Sequence, residues 1–130
     1  MDIVIDASAI LAVLLNEEEK DSIIRISRGN TLISPGCIEY EIGNAVSALR
    51  KRNLITTSDG ILVWHEFCKI PLRQIKPIIH DALIIACNEN IYAYDAYYLA
   101  VASQYHLPLL TLDDKMRSTA FNVGIESMEV

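Results

Sequence analysis

Four short β-rich runs, Ile3–Ile5, Thr31–Ser34, Leu72–Ile75 and Leu109–Leu112, are separated by segments of helical periodicity. That alternation constrains the fold more than any other feature. Antiparallel neighbours need only a tight turn, whereas connections that carry helices are crossovers and bring the chain back parallel. The expected architecture is an α/β fold, a three-layer α/β/α sandwich with a mainly parallel sheet and helices on both faces. A further short run at Ile125–Met128 brings the count to about five strands. The helical segments are Ala9–Leu15, Glu17–Arg28 (stopped at Gly29-Asn30), Cys37–Arg52, Ser58–Lys69, Pro77–Asn90, Ala93–Tyr105 and Asp114–Phe121. Repeats, low-complexity runs and Gly/Ser-rich linkers are absent from the 130 residues, which therefore read as one domain, 1–130.

Composition excludes several classes. With 52% hydrophobic and 22% charged residues, the chain carries enough apolar surface to fold and is not intrinsically disordered. No apolar run reaches the roughly 18 residues of a membrane-spanning helix. Met1–Ile5 enters a strand pattern directly, without the basic and apolar regions of a signal peptide, so a cytoplasmic protein with no membrane association is expected. Cys37, Cys68 and Cys87 lack the paired spacing of a structural zinc site and read as reduced core or half-buried thiols. The formal charge of −6 runs against the basic surface usual for phosphate binding. A nucleic-acid function would require that negative charge to gather where cations offset it.

Four carboxylates stand where such gathering is expected. In parallel sheets the ligand crevice lies beyond the carboxyl ends of the strands, and Asp6 and Asp113 each follow a strand. Asp6 also fits a plain helix N-cap. Asp114 stands beside Asp113, and one of the two can cap the following helix. Glu41 lies at the edge of the apolar stripe Ile38, Ala45, Leu49, one turn from Asn44. Asp95 heads the apolar face Tyr98, Leu99, Ala102, where an unpaired carboxylate is costly to bury; its bland alternative is a first-turn acid favoured by the helix dipole. Bringing these acids together costs about 1 kcal/mol per close pair in water and about 4 at an effective dielectric of 20, so a cation is expected among them. All-oxygen ligation suits Mg²⁺ or Mn²⁺, and such ions activate water for phosphodiester hydrolysis.

The segments Ile3-Val4-Ile5-Asp6-Ala7-Ser8, Pro35 through Glu41-Ile42-Gly43-Asn44-Ala45, Tyr94-Asp95-Ala96-Tyr97-Tyr98-Leu99-Ala100 and Leu110-Thr111-Leu112-Asp113 resemble, in this order, the PIN domain family, most closely its VapC-type toxin ribonucleases. Each motif is weak alone; together they frame nearly the whole chain. The resemblance implies a five-stranded parallel sheet between helices and a Mg²⁺ site at Asp6, Glu41, Asp95 and Asp113, with Ser8, Asn44 and Thr111 as supporting groups. Thr111, two residues before Asp113, favours Asp113 over Asp114 as the family aspartate. The resemblance also implies an RNA substrate, a homodimer, and a cognate antitoxin whose tail enters the acidic groove.

Lys115 and Arg117 are the better candidates for RNA phosphate contacts, with Arg50 and its neighbours Lys51 and Arg52 more simply read as a solvated helix end. Tyr92, Tyr94 and Tyr97 suit base stacking or a dimer surface, and the helical phase of Tyr98 points to the core. His65, His80 and His106 show no ligand spacing. The leading functional expectation is a Mg²⁺-dependent endoribonuclease, the toxin of a type II toxin–antitoxin system, that hydrolyses RNA with a metal-activated water. The alternatives are a housekeeping PIN nuclease in RNA processing, which often carries an extra domain such as a zinc ribbon, and an inactive PIN domain that serves as an interaction module.

Overall fold

The computed structural model describes residues 1–130. Its elements run β1 (Asp2–Ile5), α1 (Ala7–Leu14), α2 (Lys20–Ser27), β2 (Thr31–Ser34), α3 (Ile38–Lys51), α4 (Thr57–Cys68), β3 (Leu72–Gln74), α5 (Ile79–Glu89), α6 (Ala93–Tyr105), β4 (Leu109–Leu110) and α7 (Asp114–Asn122). The four strands form one parallel sheet in the order β3-β2-β1-β4. In β1, Ile3, Val4 and Ile5 are all fully buried. Successive strand residues point to opposite faces, so both faces of the sheet are covered, as the apolar runs require. Leu32 and Ile33 of β2 and Leu109 and Leu110 of β4 repeat the pattern.

Strand order places the site. The chain steps outward from β1 through β2 to β3, then crosses back to lay β4 on the other side of β1. The reversal makes the β1/β4 junction a topological switch point, where the helices that follow the two strands diverge and leave a crevice at the strands' carboxyl ends.

The fifth strand differs from expectation. Residues 125–128 contribute a single bridge, Leu109 to Ser127, with Leu109 N donating to the Glu126 carbonyl and Met128 N donating to the Leu109 carbonyl. A ladder needs a partner strand to run along, and β4 is only two residues long. The expected extension of β4 through Leu112 fails because its backbone groups are used elsewhere. Arg117 Nη2 donates to the Thr111 carbonyl at 2.9 Å, Ser8 Oγ accepts from Leu112 N at 3.0 Å, and Thr111 Oγ1 accepts from Asp113 N at 3.0 Å.

A 21-residue apolar cluster joins the sheet to the helices, and a second cluster of Ala82, Ala86, Ala96 and Ala100 seats α5 against α6. Cysteine placement departs from the sequence reading. Cys37 is half-buried, but Cys68, the last residue of α4, and Cys87, on the outer side of α5, are exposed. No helix is long and apolar enough to cross a membrane.

Candidate metal centre

Asp6 leaves β1 with extended backbone angles and caps α1, its Oδ1 accepting from Ala9 N at 3.1 Å. The N-cap reading is therefore correct, yet it describes only one of the bonds this carboxylate makes. Ser8 Oγ donates to Oδ1 at 2.7 Å, and Thr111 Oγ1, just past β4, donates to Oδ2 at 2.5 Å. A hydroxyl has one proton, so both hydroxyls spend theirs on Asp6, and their 3.3 Å approach to each other is a contact between two acceptors. Each also accepts one backbone N–H, Ser8 from Leu112 and Thr111 from Asp113. The result is a polar knot that ties the end of β1 to the β4–α7 turn. An ionised carboxylate offers about four acceptor positions. Three are taken on Asp6, and one position on Oδ2 remains.

Asp113 caps α7 through Oδ1, which accepts from Met116 N at 3.1 Å. Asp114 turns away, 96% exposed and paired with Arg117 at 2.7 Å. Of the two neighbours, it is Asp113 whose charge is felt by both Asp6 and Asp95.

Glu41 sits in the first turn of α3 and Asp95 in the first turn of α6, where the positive ends of helix dipoles favour acids. Glu41 Oε2 accepts from the Tyr98 hydroxyl and, at 3.8 Å, from the Cys37 thiol. Tyr98 lies one turn along α6 from Asp95 and Cys37 one turn before Glu41, the spacing that puts side chains on one helix face. Tyr98 is 1% exposed, as the apolar phase predicts. Its hydroxyl nonetheless serves the acidic cluster, which the sequence reading missed. Cys37 was missed likewise.

The electrostatics unite the four acids. Burial pushes Asp6 up from its ordinary range, and the hydrogen bonds from Thr111, Ser8 and Ala9 oppose that push while Asp113 adds to it. Burial raises Glu41, the Tyr98 hydrogen bond works against it, and the charges of Asp95 and Asp6 raise it further. Asp95 is raised by burial, then by Asp113 and Asp6, with Lys115 the one opposing charge and no hydrogen bond contributing. The Cys37 thiol is pushed up to about 12 by burial and the neighbouring Glu41. The Tyr98 phenol, buried against the same carboxylate, is raised well above its ordinary range and keeps its proton to donate.

As the side chains stand, no three Asp, Glu, His or Cys groups converge closely enough to hold an ion. Like charges opposed by a single ammonium are expected to stand apart. The donor set suits a hard divalent cation, with carboxylate oxygens only and acceptor positions left open on Asp6 and Asp95.

The remaining candidates divide. Lys115 is placed at the site through its charge on Asp95. Arg117 is committed to the Thr111 carbonyl and Asp114, so it braces the β4–α7 turn rather than offering a free guanidinium. Arg50 stands about 13 Å along α3 from Glu41 at 1.5 Å per residue, bonded to Asn53 and Thr57. Asn44 is exposed and is not among the groups that shift Glu41. A surface cavity of about 590 Å³ lies at Arg50 and the start of α4 and is not lined by Asp6, Glu41, Asp95 or Asp113.

Comparison with known proteins agrees with this geometry. The family model described as PIN domain matches residues 3–122. The ribonuclease VapC12 of Mycobacterium tuberculosis is 29% identical over 127 residues, which is 95% of this chain and 97% of that one. Among solved structures, VapC20 of M. tuberculosis, described as a sarcin–ricin loop cleaving toxin, superposes with a TM-score of 0.67 at 12% identity, covering 98% of this chain and 99% of that one. VapBC2 of Rickettsia felis, solved bound to a DNA fragment from its promoter, gives 0.64 at 12% identity, covering 92% and 93%. These two likenesses speak to the fold.

Proposed function

The chain belongs to the PIN domain family, and on that premise we propose that it is a VapC-type toxin endoribonuclease, a single nuclease domain whose site at Asp6, Glu41, Asp95 and Asp113 holds Mg²⁺, or Mn²⁺ in its place. The observation that carries this reading is the accumulation of uncompensated negative charge at the switch point. Asp6, Glu41 and Asp95 are each raised by at least one of the other acids, and the one opposing charge is Lys115, which acts on Asp95. A fold seldom retains such repulsion unless a cation relieves it.

Mg²⁺ bound there would supply Lewis-acid chemistry, activating water and neutralising charge on the scissile phosphate. The chain's own groups do the rest. Ser8 and Thr111 hold the Asp6 carboxylate at both oxygens, so that it presents one fixed acceptor position. Asp113 is fixed by the α7 N-terminus. Lys115, exposed beside Asp95, is the group we assign to an RNA phosphate, and it partly offsets the acidic surface on approach.

VapC12 is named a ribonuclease, VapC20 a sarcin–ricin loop cleaving toxin, and VapBC2 was solved bound to a DNA fragment from its promoter. By extension this chain acts on RNA in the cytoplasm, as a homodimer restrained by a cognate antitoxin. The test is calorimetric titration of Mg²⁺ and Mn²⁺ together with RNA cleavage, for wild type, Asp6→Asn and Asp95→Asn. Binding and cleavage are expected together in wild type. Each variant should lose at least about a hundredfold in cleavage, beyond the loss typical of a group that only supports a ligand. A folded wild-type protein that binds no divalent ion would overturn the nuclease reading in favour of an interaction module.

A further inference from the structure

Glu41 is held differently from the other acids. Its Oε2 takes both of its donors, the Tyr98 hydroxyl and the Cys37 thiol, and its Oε1 takes none. A glutamate in the first turn of a helix has three side-chain torsions to fix, and leaving them free costs affinity each time the group must be ordered around a ligand. A thiol is a weak donor and a phenol a good one, so Tyr98 supplies most of the restraint. Its ring is anchored, being 1% exposed in the 21-residue core cluster. It also lies one turn from Asp95 on the same helix. One rigid element therefore sets the position of one acid directly and of another through a hydrogen bond.

Phenylalanine would fill the same core volume. The hydroxyl is the part that packing does not require, and its partner is a carboxylate of the site rather than a backbone group. Resting on the metal reading above, we infer that Tyr98 is a positioning residue for the divalent ion: it fixes Glu41 through Oε2 and leaves Oε1 as the oxygen that Glu41 offers. Cys37 assists at the same oxygen.

The experiment is a double-mutant cycle read by Mn²⁺ affinity, with free Mn²⁺ followed by electron paramagnetic resonance and folding followed by circular dichroism. Removing groups that orient a metal ligand typically lowers affinity by about 10- to 100-fold, and Tyr98→Phe is expected to fall in that range while the protein stays folded. In a Glu41→Gln background the same substitution should change affinity by less than about twofold, because interacting residues are non-additive. Cys37→Ala should lower affinity by about twofold, and Glu41→Gln should erase that effect too; this variant carries the test if Tyr98→Phe does not fold. Equal losses from Tyr98→Phe in both backgrounds would show that the residue acts through packing and overturn the inference. So would Mn²⁺ binding that Tyr98→Phe leaves unchanged. Absence of Mn²⁺ binding by the folded wild type would instead overturn the metal reading itself, and this inference with it.

Discussion

The two halves of the acidic site are built on different principles. On the β1/β4 side, Asp6 and Asp113 are integrated with the backbone: each caps a helix, and the hydroxyls of Ser8 and Thr111 relay N–H groups of the β4–α7 turn onto Asp6. On the α3/α6 side, Glu41 is held by side chains alone, and no hydrogen bond offsets the shift of Asp95. The first half closes the end of the sheet as well as presenting an acid, so removing its parts damages the fold. The second half is a burden on the fold, as expected of acids kept for a ligand under the function proposed above.

The sharpest way to break this distinction is at Thr111. Thr111→Val keeps the shape but strips a hydroxyl that donates to Asp6 and accepts from Asp113 N. A buried acceptor on Asp6 and the part-buried N–H of Asp113 lose their partner, at a cost of about 2 kcal/mol. For a chain of 130 residues that lowers Tm by roughly 7 °C, measured by calorimetry in metal-free buffer. An unchanged Tm would mean that the knot is not structural and that the two halves are alike.

The second half should respond oppositely. In metal-free buffer Asp95→Asn is expected to leave Tm unchanged or raise it by about 1–4 °C, since it relieves burial and repulsion from Asp113 and Asp6 without forfeiting a hydrogen bond. A fall of several degrees in a thermal melt would make Asp95 a structural carboxylate and erase the contrast.

The sequence revealed these halves unequally. Strand–helix alternation made the parallel sandwich legible, and with it the ends of β1 and β4 where Asp6 and Asp113 stand. Asp95 was visible because a carboxylate interrupts an apolar face. The short β4 was not visible, since Leu109–Leu112 reads as one continuous strand until the side chains that claim its backbone groups are known, and those come from Ser8 and Arg117, far away in sequence. Tyr98 was misleading for a related reason. Helical phase reports where a ring points, and it is silent about what its hydroxyl meets 57 residues away. Helical phase placed Asn44 one turn from Glu41, but it does not report exposure, and Asn44 stands exposed.

The subtlest contrast is in the response to pH. Asp6, Glu41 and Asp95 all hold protons more tightly in the folded chain than carboxylates ordinarily do. From their raised folded values down to the ordinary range of about 4, the native state binds more protons than the unfolded one, so stability falls as pH rises. The contribution is fully present below the ordinary range and is lost as pH passes upward through the folded values. Asp59, in the exposed capping box of α4, behaves inversely. Hydrogen bonds to Thr56 lower it, and its stabilisation is lost only as pH falls below the ordinary range. Melting in EDTA should therefore show Tm rising as pH drops from neutrality toward the ordinary carboxylate range of about 4. Glu41→Gln should flatten the rise, and the difference between the two proteins isolates the site from other titrating groups. Saturating Mg²⁺ should reverse the site's contribution, because protons then compete with the ion for the same carboxylates. A Glu41→Gln profile parallel to wild type in EDTA would show that the α3/α6 half carries no such burden, leaving the two halves distinguished by geometry alone.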